Sequence, residues 1–261
     1  MASPFLFYSE MVVEEKGKNI KLVLEYDGNA YHGWQRQKGE ISIQGILEDK
    51  IGVITGKRAK LIASGRTDSG VHALHQVCNF LTKTNIDPGS LKKGLNALTP
   101  PDILIKEAKY VPLSFHARYS AKSKTYEYRI LNRREPNVFL RHYTWHVPQK
   151  LHMAKMRECL SALQGRHDFS SFRSTGSGIS NPVRTMILAE CHLSRNGIIR
   201  IVFEADGFLR HMVRNIVGTI VQVGSGKIEV EKFLEILQAR DRQKAGPKAP
   251  AQGLFLSMVR Y

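Results

Sequence analysis

One carboxylate stands alone in the stretch ASGRTDSGVHALHQVCNF, residues 63–80. Asp68 is the only acid between Asp49 and Asp87, and Gly65 and Gly70 bracket it. A tight loop between two strands would present that single carboxylate at the rim of a cleft, with Arg66 beside it. An isolated aspartate so placed can serve as a nucleophile or a general base. The competing explanation is local, because Asp-Ser-Gly is a common turn sequence in which aspartate bonds its own backbone. His72, His75 and Cys78 follow at spacings of three. On a strand such positions face opposite sides, so they cannot converge on one metal ion. Two-metal hydrolysis needs several clustered carboxylates, and this stretch has one. The sequence contains no phosphate-binding G-x-x-x-x-G-K-[ST], no dinucleotide fingerprint after a strand and no G-x-S-x-G elbow. The chemistry indicated uses one carboxylate, no metal and no cofactor.

Two further constellations bear on a substrate. Residues 115–142, FHARYSAKSKTYEYRILNRREPNVFLRH, interleave seven basic residues with Phe115, Tyr119, Tyr126, Tyr128 and Phe139. Positive charge beside flat rings suits unstacked bases, with phosphates meeting Lys and Arg. The same pattern also fits core tyrosines beside a solvated, charged edge. In the segment beginning at Gly207, Arg210 and Arg214 lie four apart, which on a helix places them on one polar stripe. That stripe is either a solvated face or an arginine aimed at a catalytic carboxylate, which it would orient.

Charge narrows the partner. The chain of 261 residues carries 39 Lys+Arg against 23 Asp+Glu, a net charge of +16, with a pI near 9.9. Residues 1–112 contribute +3 of this and residues 113–261 contribute +13. An excess gathered in one half is a directed field of the kind that binds a polyanion. At 42% hydrophobic and 24% charged the composition is that of a globular protein, not of a disordered tail. No apolar run reaches the ~18–20 residues of a membrane helix. Cys78, Cys159 and Cys191 form no C-x-x-C pair and read as reduced thiols of a cytoplasmic protein. The opening MASPFLFYSEMVVEEKGK has no basic n-region and reads as an extension, residues 1–17, not as a signal peptide.

The elements that must hold these residues follow from periodicity and punctuation. NIKLVLEY (19–26) alternates as a strand, and Ser42 caps a helix that Gly56 ends. Strands are expected at 59–64, 74–82 and 103–111, and a short helix from Ser90 that stops before Pro100. The second half repeats the order, with a strand at 124–131, a helix at 152–164 and a strand pair at 183–194 and 198–206. Helices at 207–224 and 229–240 and a final strand from Gly253 complete it. Strand–helix–strand–strand–helix–strand, twice over, predicts an α+β fold of two successive ferredoxin-like βαββαβ units with antiparallel sheets and a cleft between them. The units span residues 18–112 and 113–261.

The stretch GRTDSGVHALHQV strongly resembles the active-site motif of the tRNA pseudouridine synthase A (TruA) family of bacterial type. Further blocks match in the family's order: YDGNAYHGWQRQ, KTYEYRI, HDFSSFR, NPVRT, GFLRHMVRNIVGTIVQVGSGK and PAQGLFL. The resemblance covers about residues 18–261. Ser69 and Leu74 stand where the family has smaller residues, and neither touches the aspartate. The resemblance implies isomerisation of uridine to pseudouridine at positions 38, 39 and 40 of the tRNA anticodon stem-loop, by a homodimer. It makes Asp68 the nucleophile at C6 of the base or C1′ of the ribose, or the base of a glycal route. It further implies that Tyr126 packs on a flipped uracil, that Arg66 holds the flipped state and that Arg214 pairs with Asp68.

Overall fold

The computed structural model describes residues 17–174 and 181–261. The proposed extension therefore lies almost wholly outside the described residues. In the first half, β1 (Lys18–Tyr26) leads to α1 (Ile43–Thr55). The Ser42 side chain accepts the Gly45 N–H at the start of α1, and Gly56 ends it at φ 71°. Both ends of that helix are as the sequence predicts. Then come β2 (Ile62–Ala63), β3 (His72–Thr82), α2 (Pro88–Leu98) and β4 (Ile103–Val111). Asp87 caps α2 by accepting the Gly89 and Ser90 N–H groups, and Pro88 occupies a position where no donor is needed.

The second half runs β5 (Ser123–Leu131), β6 (Trp145–His146), α3 (Met153–Ser161), β7 (Gly165–Asp168), β8 (Val183–Leu193) and β9 (Ile198–Ala205). It continues with α4 (Met212–Gly224), α5 (Val230–Ala239) and β10 (Leu254–Arg260). The helix expected over 152–164 is shorter, because Gly165 adopts φ 95° and the next residues pair with β8. The helix expected from Gly207 begins only at Met212, since His211 takes a left-handed φ of 62°. That displaces Arg210 from the helix, so Arg210 and Arg214 do not share a stripe.

The architecture is α+β, but the expectation of two antiparallel sheets needs correction. The described strands form one mixed sheet in the order β4-β1-β3-β10-β5-β9-β8-β7, with β2 beside β3 and β6 beside β5. Within each half the main pairings are antiparallel. The halves meet where β10 lies parallel to the start of β3, Phe255 opposite His72 and Leu256 opposite Ala73. A separate sheet in each half would have left β3 and β10 as edges with unpaired backbone groups, and joining them satisfies both.

His72 pins this joint. Its Nδ1 accepts the Gly28 N–H at 3.0 Å, and Nε2 faces the carbonyls of His142 at 3.0 Å and Gln252 at 3.2 Å. Its ring stacks on Phe255 at 4.6 Å. Nδ1 also lies 3.1 Å from Asp27 Oδ1, a carboxylate that favours the charged form. Burial pushes its pKa below the ordinary value, against the pull of Asp27. His75 and His211 are shifted the same way, also chiefly by burial. The unfolded chain therefore takes up protons first as pH falls. The contribution of each histidine is complete above about pH 6.5 and is lost below it, at no more than about 1.4 kcal/mol per pH unit. Thermal unfolding followed from pH 8 to 5 should be flat at first and then decline, and less steeply for His72→Asn. An unchanged acid slope in the variant would remove His72 from this role.

Candidate active site

The loop carrying Asp68 is held from below by β3 and from the side by the block after β1. Gln76 donates to the Gly65 carbonyl at 2.9 Å and accepts the Ser64 hydroxyl at 2.7 Å. The hydroxyls of Tyr26 and Thr67 bond at 2.8 Å inside the core. Trp34 N–H donates to the Thr67 carbonyl, and Gly70 N–H to that of Tyr31. Two glycines make this approach possible. A Cβ at Gly33, which sits at φ 84°, would lie 2.5 Å from the Thr67 carbonyl oxygen, and one at Gly28 would lie 2.1 Å from that of Val71. YDGNAYHGWQRQ is thus the bed of the loop. The turn itself closes through main chain, Val71 N–H to the Asp68 carbonyl at 3.1 Å. The carboxylate is left to act elsewhere, which disfavours the purely turn-forming role.

That carboxylate meets α4 from the other half of the chain. Arg214 Nη1 donates to Asp68 Oδ2 at 3.0 Å, and His211 Nε2 stands 3.4 Å from the same oxygen. Oδ1 has no hydrogen bond among the described residues, so one oxygen is anchored and the other is open. Arg214 is only 8% exposed, whereas Asp68 keeps 29% of its side chain open. The arginine is fixed at a second point, Nε to the Ala249 carbonyl at 2.8 Å. Its stiffness comes from the connector KAGPKAPAQG, which lies against α4. A Cβ at Gly218 would be 1.7 Å from the Pro247 carbonyl oxygen, and Thr219 Oγ1 accepts the Gly246 N–H. His211 Nδ1 bonds the Ser174 hydroxyl at 2.5 Å, and burial lowers its pKa against the pull of Asp68.

Sequence reasoning missed His211. Its left-handed backbone at the start of α4 carries no sequence mark, but it lies three positions before Arg214, and both stand beside one carboxylate. Such a conformation in a non-glycine residue at a helix start is costly and belongs with sites where side-chain placement matters.

Tyr126 is buried on β5, its ring edge-on to Phe208 at 4.9 Å between centroids. Burial raises its hydroxyl well above the ordinary range, with Tyr26 and the nearby Asp68 adding to the effect. Arg66 is exposed on the Asp68 loop and forms no ion pair with Asp68. The basic segment 115–142 divides. Tyr128 is core and donates to the Pro250 carbonyl, and Arg129 is held by Glu127 and lies 3.9 Å over the Phe255 ring. Tyr119 and Phe139 are exposed. No group of three or more His, Cys, Asp or Glu among the described residues is placed to hold a metal ion.

A carboxylate from one half, held by Arg214 of the other with His211 alongside, is the geometry against which relatives can be compared. The family model described as tRNA pseudouridine synthase matches residues 22–120 and 160–261. The chain belongs to the tRNA pseudouridine synthase A (TruA) family. Both matched stretches carry part of the site, Asp68 in the first and His211 with Arg214 in the second. The tRNA pseudouridine synthase A of Acetivibrio thermocellus is 46% identical over 245 residues, 94% of this chain and all of the relative. That of Thermoanaerobacter sp. matches equally, and that of Clostridium acetobutylicum is 44% identical over 244 residues. As a member of this pseudouridine synthase family, of bacterial type, the protein is an isomerase acting on tRNA. No helix among the described residues is long and apolar enough to cross a membrane.

Proposed function

We propose that the protein converts uridine to pseudouridine at positions 38, 39 and 40 of the tRNA anticodon stem-loop, with Asp68 as the reacting group. The observation that carries this reading is the anchored Asp68 carboxylate, held through Oδ2 by Arg214 with Oδ1 open. The reaction breaks the C1′–N1 bond, turns the base and forms C1′–C5; C5 loses its proton to solvent and N1 takes one up, so nothing is consumed. A base inside a stem is out of reach of a side chain in a cleft, so the nucleotide flips out to meet Asp68. Arg214 and His211 fix the carboxylate's orientation while its free oxygen reacts. Arg66, exposed on the same rim, holds the vacated stack. The strand orders β4-β1-β3-β2 and β10-β5-β9-β8 support reading residues 18–112 and 113–261 as ferredoxin-like units with the cleft between them. A cytoplasmic homodimer whose two copies share one tRNA completes the reading.

Tyr126 packs its ring on the flipped uracil. Burial disfavours the phenolate, so the hydroxyl is a poor base and the flat face is what the site offers. Tyr126→Phe should therefore keep most of the activity. Tyr126→Ala should lose about 1–3 kcal/mol of stabilisation of the flipped state, roughly 5- to 150-fold. Equal damage from both substitutions at saturating tRNA would assign proton transfer to the hydroxyl instead. The position assignment is tested by incubating unmodified tRNA with the purified protein and mapping pseudouridine by sequence. Product confined to positions 38–40 supports it, and product only elsewhere overturns it.

A further inference from the structure

Lys124 is a cation with no counter-ion. It is half-buried on β5, two residues before Tyr126 and therefore on the same face of that strand. Its ammonium lies against the Asp68 loop, where a Cβ added to Gly65 would sit 3.5 Å from Nζ. Among the described residues it makes no hydrogen bond or ion pair. The charged groups that bear on it are Arg118, from the segment before β5, and Arg184, on β8, and both repel it. Burial first, and then these two arginines, push its pKa down to about 8. Arg184 is itself partly desolvated, has Asp206 as a nearby acid, and lies beside the other segment of the site, its Nε 3.2 Å from where a Cβ of Gly207 would be. Arg118 is exposed.

Two like charges beside a half-dry ammonium raise the energy of the free protein. Elsewhere the fold pairs such groups, as Glu127 does for Arg129 and Arg200. Here the missing partner is an anion from outside. We propose that Lys124, flanked by Arg118 and Arg184, is the site for the RNA backbone phosphate next to the uridine that enters the cleft. The inference rests on the proposed function, since it supposes that the nucleotide lies between Asp68 and Tyr126. A phosphodiester fits because it brings a full negative charge and accepts hydrogen bonds from more than one direction, which one ammonium and two guanidinium groups can supply together. Gly65 and Gly207 leave open the space beside the basic heads that a larger residue would fill.

The test is binding of a stem-loop RNA to the full-length wild type, Lys124→Gln and Lys124→Arg, at pH 7 and pH 9.5. Lys124→Gln should weaken binding about tenfold at pH 7. Wild-type affinity should fall towards pH 9.5 as the ammonium loses its proton, whereas Lys124→Arg should hold its affinity. Replacing by methylphosphonate, one at a time, the two phosphates flanking the target uridine should weaken wild-type binding at one of them by about tenfold. The same change should leave Lys124→Gln unaffected. Lys124→Gln should also be at least as stable as wild type to denaturant, because it removes an unpaired, desolvated charge. Equal affinity of Lys124→Gln and wild type would overturn the inference. So would a methylphosphonate effect of the same size in both proteins. Pseudouridine formation by wild type in the same tubes is scored separately. Its failure strikes the proposed function, whereas a silent Lys124 in an active enzyme strikes only this site.

Discussion

Asp68→Asn is expected to lower pseudouridine formation by at least about 10⁴-fold while leaving tRNA affinity within several-fold of wild type. The amide keeps the size of the carboxylate, and its oxygen still accepts from Arg214 Nη1, so the loop keeps its shape. What disappears is the negative charge and with it both nucleophilicity and basicity. Every route in which Asp68 is central fails equally, whether it attacks C6, attacks C1′ or removes a proton on the way to a glycal. Affinity survives because it is spread over many phosphate contacts on a chain of net charge +16. Removing one acid from that field repels nothing and can tighten binding slightly. The cost in stability is about 1 kcal/mol, the difference between a charged and a neutral acceptor for the same arginine. Single-turnover conversion and a filter-binding curve on one preparation check both halves of the expectation. Loss of folding together with binding would return Asp68 to the role of a turn former.

Arg214→Ala should be damaging in two ways at once. It leaves the Ala249 carbonyl and Asp68 Oδ2 without their donor, in a place where the arginine is 8% exposed. Breaking a buried pair from one side costs about 3–5 kcal/mol. Because Asp68 keeps partial contact with water, about 2–3 kcal/mol is expected here, together with a loss of activity above 10²-fold from a carboxylate no longer held. Arg214→Lys separates orientation from charge. A single ammonium cannot reproduce Nη1 on Asp68 and Nε on Ala249 together, so the variant should recover stability more than activity. In the double variant with Asp68→Asn the two stability losses should be less than additive, since both remove one interaction. Full additivity would mean that Arg214 acts chiefly through the Ala249 connector.

How far this was legible in the sequence depended on whether the signal was local. The alternation of 19–26, the Ser42 cap and the Gly56 stop were written in neighbouring residues, and the structure repeats them. Asp68 and Arg214 were singled out through the resemblance to the family's motifs, since Asp-Ser-Gly alone reads as a turn and Arg214 alone as part of a solvated face. The pairing of β10 with β3 was not legible. It joins residues more than 180 apart over two pairs, and periodicity within a strand does not specify its partner. β6 and β7 are too short, at two and four residues, to show a period. The late start of α4 escaped because histidine at φ 62° leaves no compositional trace, and with it escaped the second basic side chain beside the aspartate. Lys124 was hidden for a different reason. Its sequence neighbours are as basic as it is, and only the fold separates the cation that has no partner from Arg129, which has Glu127.

The central claim is that this chain moves a uracil from N1 to C5 through Asp68, and loss of the C5 hydrogen reports that event alone. Transfer RNA transcribed with [5-³H]uridine, incubated with the purified protein in EDTA, should release tritium to solvent in step with pseudouridine formed, from RNA that stays full length. Asp68→Asn run alongside should release none above background. No release by wild type, release that depends on added metal with cutting of the RNA, or equal release by the Asp68→Asn variant would each contradict the account.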